Sequence, residues 1–176
     1  MATIPRHKAL IWRIIQQAIP VRSALSKRGV QCLILCPRCL QKEETINHVF
    51  MDCHHTSKIW FGLKLGVNFG SYQWDFIGWL VHSLAHLNAE DMSYDAAVTC
   101  EIWQARNQQV FDFKDTEDSL VLERASESIG NYRKPRKVSE SIERPTVQSN
   151  IRNQIEVKKV NFTKFHFNFL MQINKQ

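Results

Sequence analysis

The sequence predicts a mainly α-helical protein, in which a small zinc-stabilised helical module is followed by further helices and a poorly ordered tail. Three observations carry that expectation. Apolar residues recur at helical spacing over most of the first 132 positions. Four soft metal ligands fall within the eighteen residues from Cys36 to Cys53. Beyond Arg133 the periodicity dissolves into Pro135, Pro145 and scattered Ser, Asn and charge. At 176 residues, 44% hydrophobic and 23% charged, the chain has the composition of a globular protein with room for one domain and a small second unit.

The first helix follows from Leu10, Ile11, Ile14, Ile15 and Ala18, which form one stripe with Arg13 and Gln17 opposite; Pro5 can open it and Pro20 stops it. A second short helix is predicted from Val21 to Lys27, ended by Gly29. The segment from Lys58 to Val81 is aromatic-rich and broken by glycines, and divides into a helix over Lys58 to Leu65, an irregular linker and a helix through Ile77 to His86. A longer helix is expected over Met92 to Val110, opened by Asp91 or Ser93. Another is expected over Asp118 to Tyr132, with Val121, Ala125, Ile129 and Tyr132 on one face. Alternation around Val160, Phe162, Phe165, Phe167 and Phe169 suggests a strand within Glu156 to Ile173.

Cys36, Cys39, His48 and Cys53 form a C-x2-C-x8-H-x4-C pattern. Three thiolates and an imidazole suit tetrahedral Zn²⁺, and the two-residue gap in Cys36-Pro-Arg-Cys39 makes a turn that aims both sulfurs at one point. With four protein ligands such a site is closed, so the zinc is expected to be structural. A redox disulfide between Cys36 and Cys39, or plain buried thiols, are the rival readings. Cys32 is a possible substitute ligand, as are His54 and His55, which are more simply placed at the surface, and Cys100 reads as a small core residue.

The formal net charge of +6 is unevenly spread, at +6 over residues 1–31, −7 over 32–132 and +7 over 133–176. Basic ends point to a polyanionic partner, because Lys and Arg placed against phosphates release counterions. On the predicted N-terminal helices the candidate contacts are Arg6, Lys8, Arg13, Arg22, Lys27 and Arg28, with Trp12 among them and Arg133, Lys134, Arg136 and Lys137 as a second cluster. RNA or DNA, bound with little sequence preference, is the expected partner.

At these residues the chain resembles a known family. The runs Ala9-Leu-Ile-Trp-Arg13 and Ile19-Pro-Val-Arg-Ser-Ala-Leu-Ser-Lys-Arg-Gly-Val30, then Cys36-Pro-Arg-Cys39, Glu43-Glu-Thr-Ile-Asn-His-Val-Phe-Met-Asp-Cys53 and Trp60, are similar to the zinc-binding domain of plant non-LTR (LINE-type) retrotransposon reverse transcriptases. The resemblance implies a non-catalytic domain over residues 4–62 that held template or target nucleic acid near a polymerase. Where that family has a capping Thr this chain has Val21, which predicts a frayed second helix. Ile102-Trp-Gln-Ala-Arg-Asn-Gln-Gln-Val-Phe111 resembles the connector that follows the zinc domain, here 63–134. Lys159-Val-Asn-Phe-Thr163 resembles the first strand of an RNase H domain within 135–176, with Thr163 in place of a catalytic Asp.

No enzyme is expected. A Thr cannot supply a metal-binding carboxylate, only thirteen residues follow it, and no Asp-Asp pair, phosphate-cradling loop or nucleophile elbow occurs. No catalytic residue and no small-molecule substrate are therefore assigned. Two other classes compete with nucleic-acid binding: a protein-interaction scaffold docking through an exposed aromatic segment at 60–79, and a degenerate retroelement remnant without selected function. The longest apolar run, around Phe76 to Val81, is far short of the ~20 residues that span a bilayer. The N-terminus lacks a secretory h-region and five cysteines are few for a disulfide scaffold, so an intracellular setting, nucleus or cytoplasm, is expected.

Overall fold

In the computed structural model, residues 4–63 and 75–133 are described. They form six α-helices: α1 Pro5–Ile15, α2 Arg22–Lys27, α3 His54–Phe61, α4 Phe76–His86, α5 Ala89–Phe111 and α6 Asp118–Arg133, with a π-helical turn at His48–Asp52. Among these residues no strand forms; the isolated antiparallel bridge between Leu35 and Glu43 closes the metal loop. The tail strand expected over Glu156 to Ile173 and the basic cluster from Lys134 onward lie outside the described residues.

The N-terminal helix is shorter than its apolar stripe suggests. Gln17 adopts a left-handed φ of +52°. Its N–H donates to Ile14 O at 2.8 Å while Ala18 N donates to Arg13 O at 2.7 Å, the paired bonds of a Schellman C-cap. Ala18 is therefore exposed, and the buried face of α1 is His7, Leu10, Ile11 and Ile14. The same motif ends α2, where Gly29 at φ +83° supplies the left-handed residue without a Cβ penalty.

The first turn of α2 finds its cap elsewhere in the chain. Val21 offers no cap, but Glu44 reaches across from the metal loop, its Oε2 accepting from Arg22 N at 2.7 Å and its carbonyl from Ser23 N at 3.2 Å. Two of the four orphan donors of the helix are thus satisfied by a residue 22 positions beyond Arg22. The long helix α5 begins three residues before Met92, because Asn88, not Asp91 or Ser93, is the cap: its Oδ1 accepts from Glu90 N and Asp91 N at 3.0 and 2.9 Å.

The core gathers around α5, which packs against α1, α6 and the π turn, while α3 packs against α6. Trp60, Phe76 and Trp79 are interior, at 0%, 0% and 4% exposure, so these members of the aromatic segment are core and not the exposed surface expected of them. Phe76 stacks on Phe50 at 5.0 Å between centroids, and Trp79 meets Trp60 edge-on at 5.2 Å. These pairings tie the π turn, α3 and α4 together directly behind the metal ligands. On α6 the predicted face is observed for Val121, Ala125 and Ile129, whereas Tyr132 is exposed. No helix among the described residues is long and apolar enough to cross a membrane.

Candidate metal centre

The metal loop begins where the chain leaves α2. Cys36 N donates to Lys42 O at 2.8 Å and Glu44 N to Ile34 O at 2.9 Å, a two-rung clasp that folds residues 36–42 into a knuckle. Inside it Leu40 N donates to Cys36 O at 2.9 Å, with Leu40 itself left-handed at φ +54°. That conformation brings the chain back beneath the Cys36–Cys39 turn, at a cost of about 1 kcal/mol for a residue with a Cβ.

The other two ligands come from the π turn. Thr45 Oγ1 accepts from His48 N at 3.0 Å and starts the turn; Cys53 N donates to His48 O at 2.8 Å and closes it. An i to i+5 bond places Cys53 one turn below His48, which suits a His-x4-Cys spacing that an α-turn would rotate apart. The wide turn leaves the carbonyls of Val49, Phe50 and Met51 to find partners, and α3 supplies all three. Thr56 Oγ1 donates to Val49 O at 2.7 Å, Ser57 Oγ to Met51 O at 3.0 Å and Trp60 Nε1 to Phe50 O at 2.7 Å. Trp60, the residue trailing the cysteine pattern, thus holds the ligand turn in shape through its ring N–H.

The result is a cluster. One donor atom each from Cys36, Cys39, His48 and Cys53 lies within 4.8 Å of every other, and Cys39 Sγ stands 3.2 Å from His48 Nε2. A tetrahedron with zinc–sulfur bonds of 2.3 Å has edges of about 3.8 Å, so a small contraction completes it. Cys36, His48 and Cys53 are buried and Cys39 is half-buried. The donor chemistry fits a metal as well. Hydrogen bonding between the two thiols, with burial, raises the pKa of Cys36, and the same bond lowers that of Cys53. Burial lowers the pKa of His48, which keeps the imidazole in its neutral, metal-binding form. His48 presents Nε2 to the cluster, while its Nδ1 is buried without a hydrogen-bond partner among the described residues. Four protein donors leave no position for an activated water, so the zinc here supports a fold.

The loop is anchored at two points by later helices. Glu44, at 0% exposure, takes a bidentate pair of bonds from Arg106 of α5: Nε to Oε1 at 2.6 Å and Nη2 to Oε2 at 2.7 Å. The Arg106 guanidinium also lies 4.8 Å from the Trp103 ring centroid. Arg38, between the first two cysteines and 3% exposed, donates to Asp118 Oδ1 at 2.9 Å at the start of α6 and to Thr116 O at 2.8 Å. Asp118 is shared with His55 Nδ1 at 3.1 Å.

The remaining candidates separate. Cys32 is exposed and lies outside the cluster; its thiol approaches Arg22 O at 3.8 Å. His54 is exposed, His55 is half-buried against Asp118, and Cys100 packs half-buried on the core. Of the basic residues, Lys8, Arg13, Lys27 and Arg28 are exposed on α1, α2 and the α2 cap. Arg6 is exposed but engages Glu101 at 3.5 Å and Ser128 Oγ at 3.0 Å. Arg22 is half-buried, its Nη1 donating to Leu35 O at 2.6 Å. Trp12 is 40% exposed beside them. Sequence reasoning missed Glu44 and Arg106, whose partnership spans 62 positions; the one local signal was two adjacent acids, Glu43 and Glu44, inside a metal loop.

No match to the chain was found among curated proteins or among solved structures. Residues 1–60 do match a family model, described as zinc-binding in reverse transcriptase, and the segment it matches contains all four clustered ligands.

Proposed function

We propose that this protein is a non-catalytic zinc module of retrotransposon origin that binds single-stranded or duplex nucleic acid through its N-terminal helices, with little sequence preference. The observation that carries the reading is the placement of Lys8 and Arg13 on α1 and of Lys27 and Arg28 at the C-terminal end of α2, all exposed. Glu44 joins the loop to the first turn of α2, so an intact zinc site fixes how α2 presents its charges. The resemblance to LINE-type plant elements supports an ancestral task of holding template or target near a polymerase, with residues 63–134 as connector. Thr163, where that family has a catalytic Asp, supports an RNase H remnant without nuclease activity, because a Thr cannot supply a metal-binding carboxylate.

Binding is tested by fluorescence anisotropy with labelled oligonucleotides across a salt series. A log-log slope of about −0.7 per phosphate contact is expected for single strands. The variant Arg13→Gln/Lys27→Gln/Arg28→Gln should flatten that slope while zinc content stays at one per chain. No detectable binding at ~50 mM salt, or an unchanged slope in the triple variant, moves the assignment to a protein-docking module, for which Phe61 at 74% exposure is the described remainder of the 60–79 surface.

A further inference from the structure

Between α2, the start of the π turn and the first turn of α4 lies a cleft of about 300 Å³. That volume stands at the lower end of ligand pockets, enough for a single heterocycle and too small for a dinucleotide cofactor. Its apolar lining comes from Val21, Ala24, Ile46 and Ile77. Its polar lining is Gln17, Ser23, Lys27, Thr45, Asn47 and Asp75. Asp75 caps α4 with Oδ1, which accepts from Gly78 N at 2.8 Å, leaving Oδ2 as an acceptor. Thr45 Oγ1 accepts from His48 N, which leaves its O–H to donate. Ser23 is 7% exposed, and its hydroxyl has no hydrogen-bond partner among the described residues. Asn47 is spent structurally, its Oδ1 on Phe76 N at 2.7 Å and its Nδ2 on Asp52 at 2.6 Å, so that it braces the cleft floor. Lys27, exposed, belongs to the lining as its one cation.

We propose that this cleft receives one unstacked cytosine of a bound single strand, with Lys27 on the adjoining phosphate. The inference rests on the nucleic-acid reading above and adds a base preference to it. One carboxylate acceptor with two hydroxyl donors complements the cytosine edge: Asp75 accepts from the exocyclic N4 amine, and Ser23 and Thr45 donate to N3 and O2. Uracil or thymine would set its O4 lone pairs against the Asp75 carboxylate and is rejected by that repulsion as much as by the missing bond. Proteins that read single-stranded RNA take splayed-out bases by these edges.

The experiment uses the zinc-loaded full chain and ten-nucleotide oligo-C and oligo-U. Oligo-C is expected to bind about tenfold tighter. Asp75→Asn, whose amide oxygen still caps α4, should bring the ratio close to one. Free cytidine and uridine at millimolar concentration provide a phosphate-free arm: cytidine should shift the backbone amide resonances of Ser23 and Thr45, uridine should not, and Ala24→Leu, which fills the cleft, should abolish the effect. Equal affinity for the two oligonucleotides with a normal salt slope overturns the cleft and leaves the basic face standing. Cytidine shifts in a chain that binds neither oligonucleotide support the cleft and overturn the basic face. Absence of cytidine shifts overturns the cleft whatever the oligonucleotides do.

Discussion

Removing Arg106 should be far more damaging than removing the whole ion pair it belongs to. In Arg106→Leu, Glu44 keeps only the Arg22 N–H and loses both charge-assisted bonds at a site with 0% exposure. A buried carboxylate stripped of its partner costs about 3–5 kcal/mol. Glu44→Met strands Arg106, which is 4% exposed and retains Pro20 O at 3.4 Å and Asn107 Oδ1 at 3.0 Å, with a cost of the same order. The double variant Glu44→Met/Arg106→Leu leaves no orphaned charge. Its remaining loss is the α2 cap, about 1 kcal/mol, because Arg22 N then has no acceptor. The two single costs should therefore exceed the double by at least about 3 kcal/mol. Urea denaturation of the zinc-loaded chain, followed by circular dichroism, measures all four corners of the cycle. Arg106→Lys, which keeps the charge and loses the planar fork, gives an intermediate point should Arg106→Leu fail to fold. Additive costs, with a coupling below about 0.5 kcal/mol, would refute the claim that this pair fastens the metal loop to α5.

Several independent measurements bear on the rest of the structure. Chelation of zinc, or Cys36→Ser with Cys39→Ser, should abolish metal content and raise hydrogen exchange first in residues 31–56, with α5 and α6 following later; retention of one zinc by that double variant would reject the ligand set. Burial lowers the pKa of His7 to about 4, with Arg6 adding to the effect. Unfolded chains then bind more protons between about pH 4 and 6.5, so this histidine makes stability rise with pH across that window, by about 3 kcal/mol in all. Asp95 works in the opposite sense. Burial, aided by the Asp91 charge, raises its pKa to about 7, so stability falls as pH rises from about 3.8 to 7. The two slopes oppose each other in the native protein, and Asp95→Asn should expose a clear rise of stability between pH 4 and 6.5; a flat profile in that variant would contradict the burial of His7. Gln17→Gly and Leu40→Gly, each at a left-handed position, should stabilise the chain by up to about 1 kcal/mol in thermal melts, and a loss at either would deny the strain. Trp60→Phe keeps the ring and removes the donor to Phe50 O, costing about 1–3 kcal/mol and weakening zinc affinity; an unchanged affinity would show that the π turn stands without it.

What could be read from the sequence was whatever depends on neighbours along the chain. The four ligands were legible because zinc demands particular atoms at short spacing, and the helices because their apolar periods are local. The Gly29 cap was visible for the same reason, whereas the identical turn at Gln17 was hidden by a residue that does not advertise a left-handed φ. The cap of α2 could not be found in its own vicinity, since Glu44 supplies it across the metal loop. Burial of Trp60, Phe76 and Trp79 was equally out of reach: an aromatic-rich stretch reads as a surface or a core depending on what packs over it, and α5 decides that from later in the chain.

The width of the turn at His48–Asp52 bears on how such sites drift between related chains. In a π turn residues five apart share a side of the helix, and in an α turn residues four apart do so. A deletion of one residue between His48 and Cys53 would relax the coil to ordinary pitch and still deliver imidazole and thiolate to the same ion. Insertion of that residue, from an ancestor with the tighter coil, would be absorbed just as readily. The gap between these two ligands is therefore an adjustable hinge of the motif, whereas the Cys36–Cys39 gap, locked by the clasp between Cys36 and Lys42, has no comparable freedom. Comparisons that hold both gaps to one length would pass over sites built on the same plan.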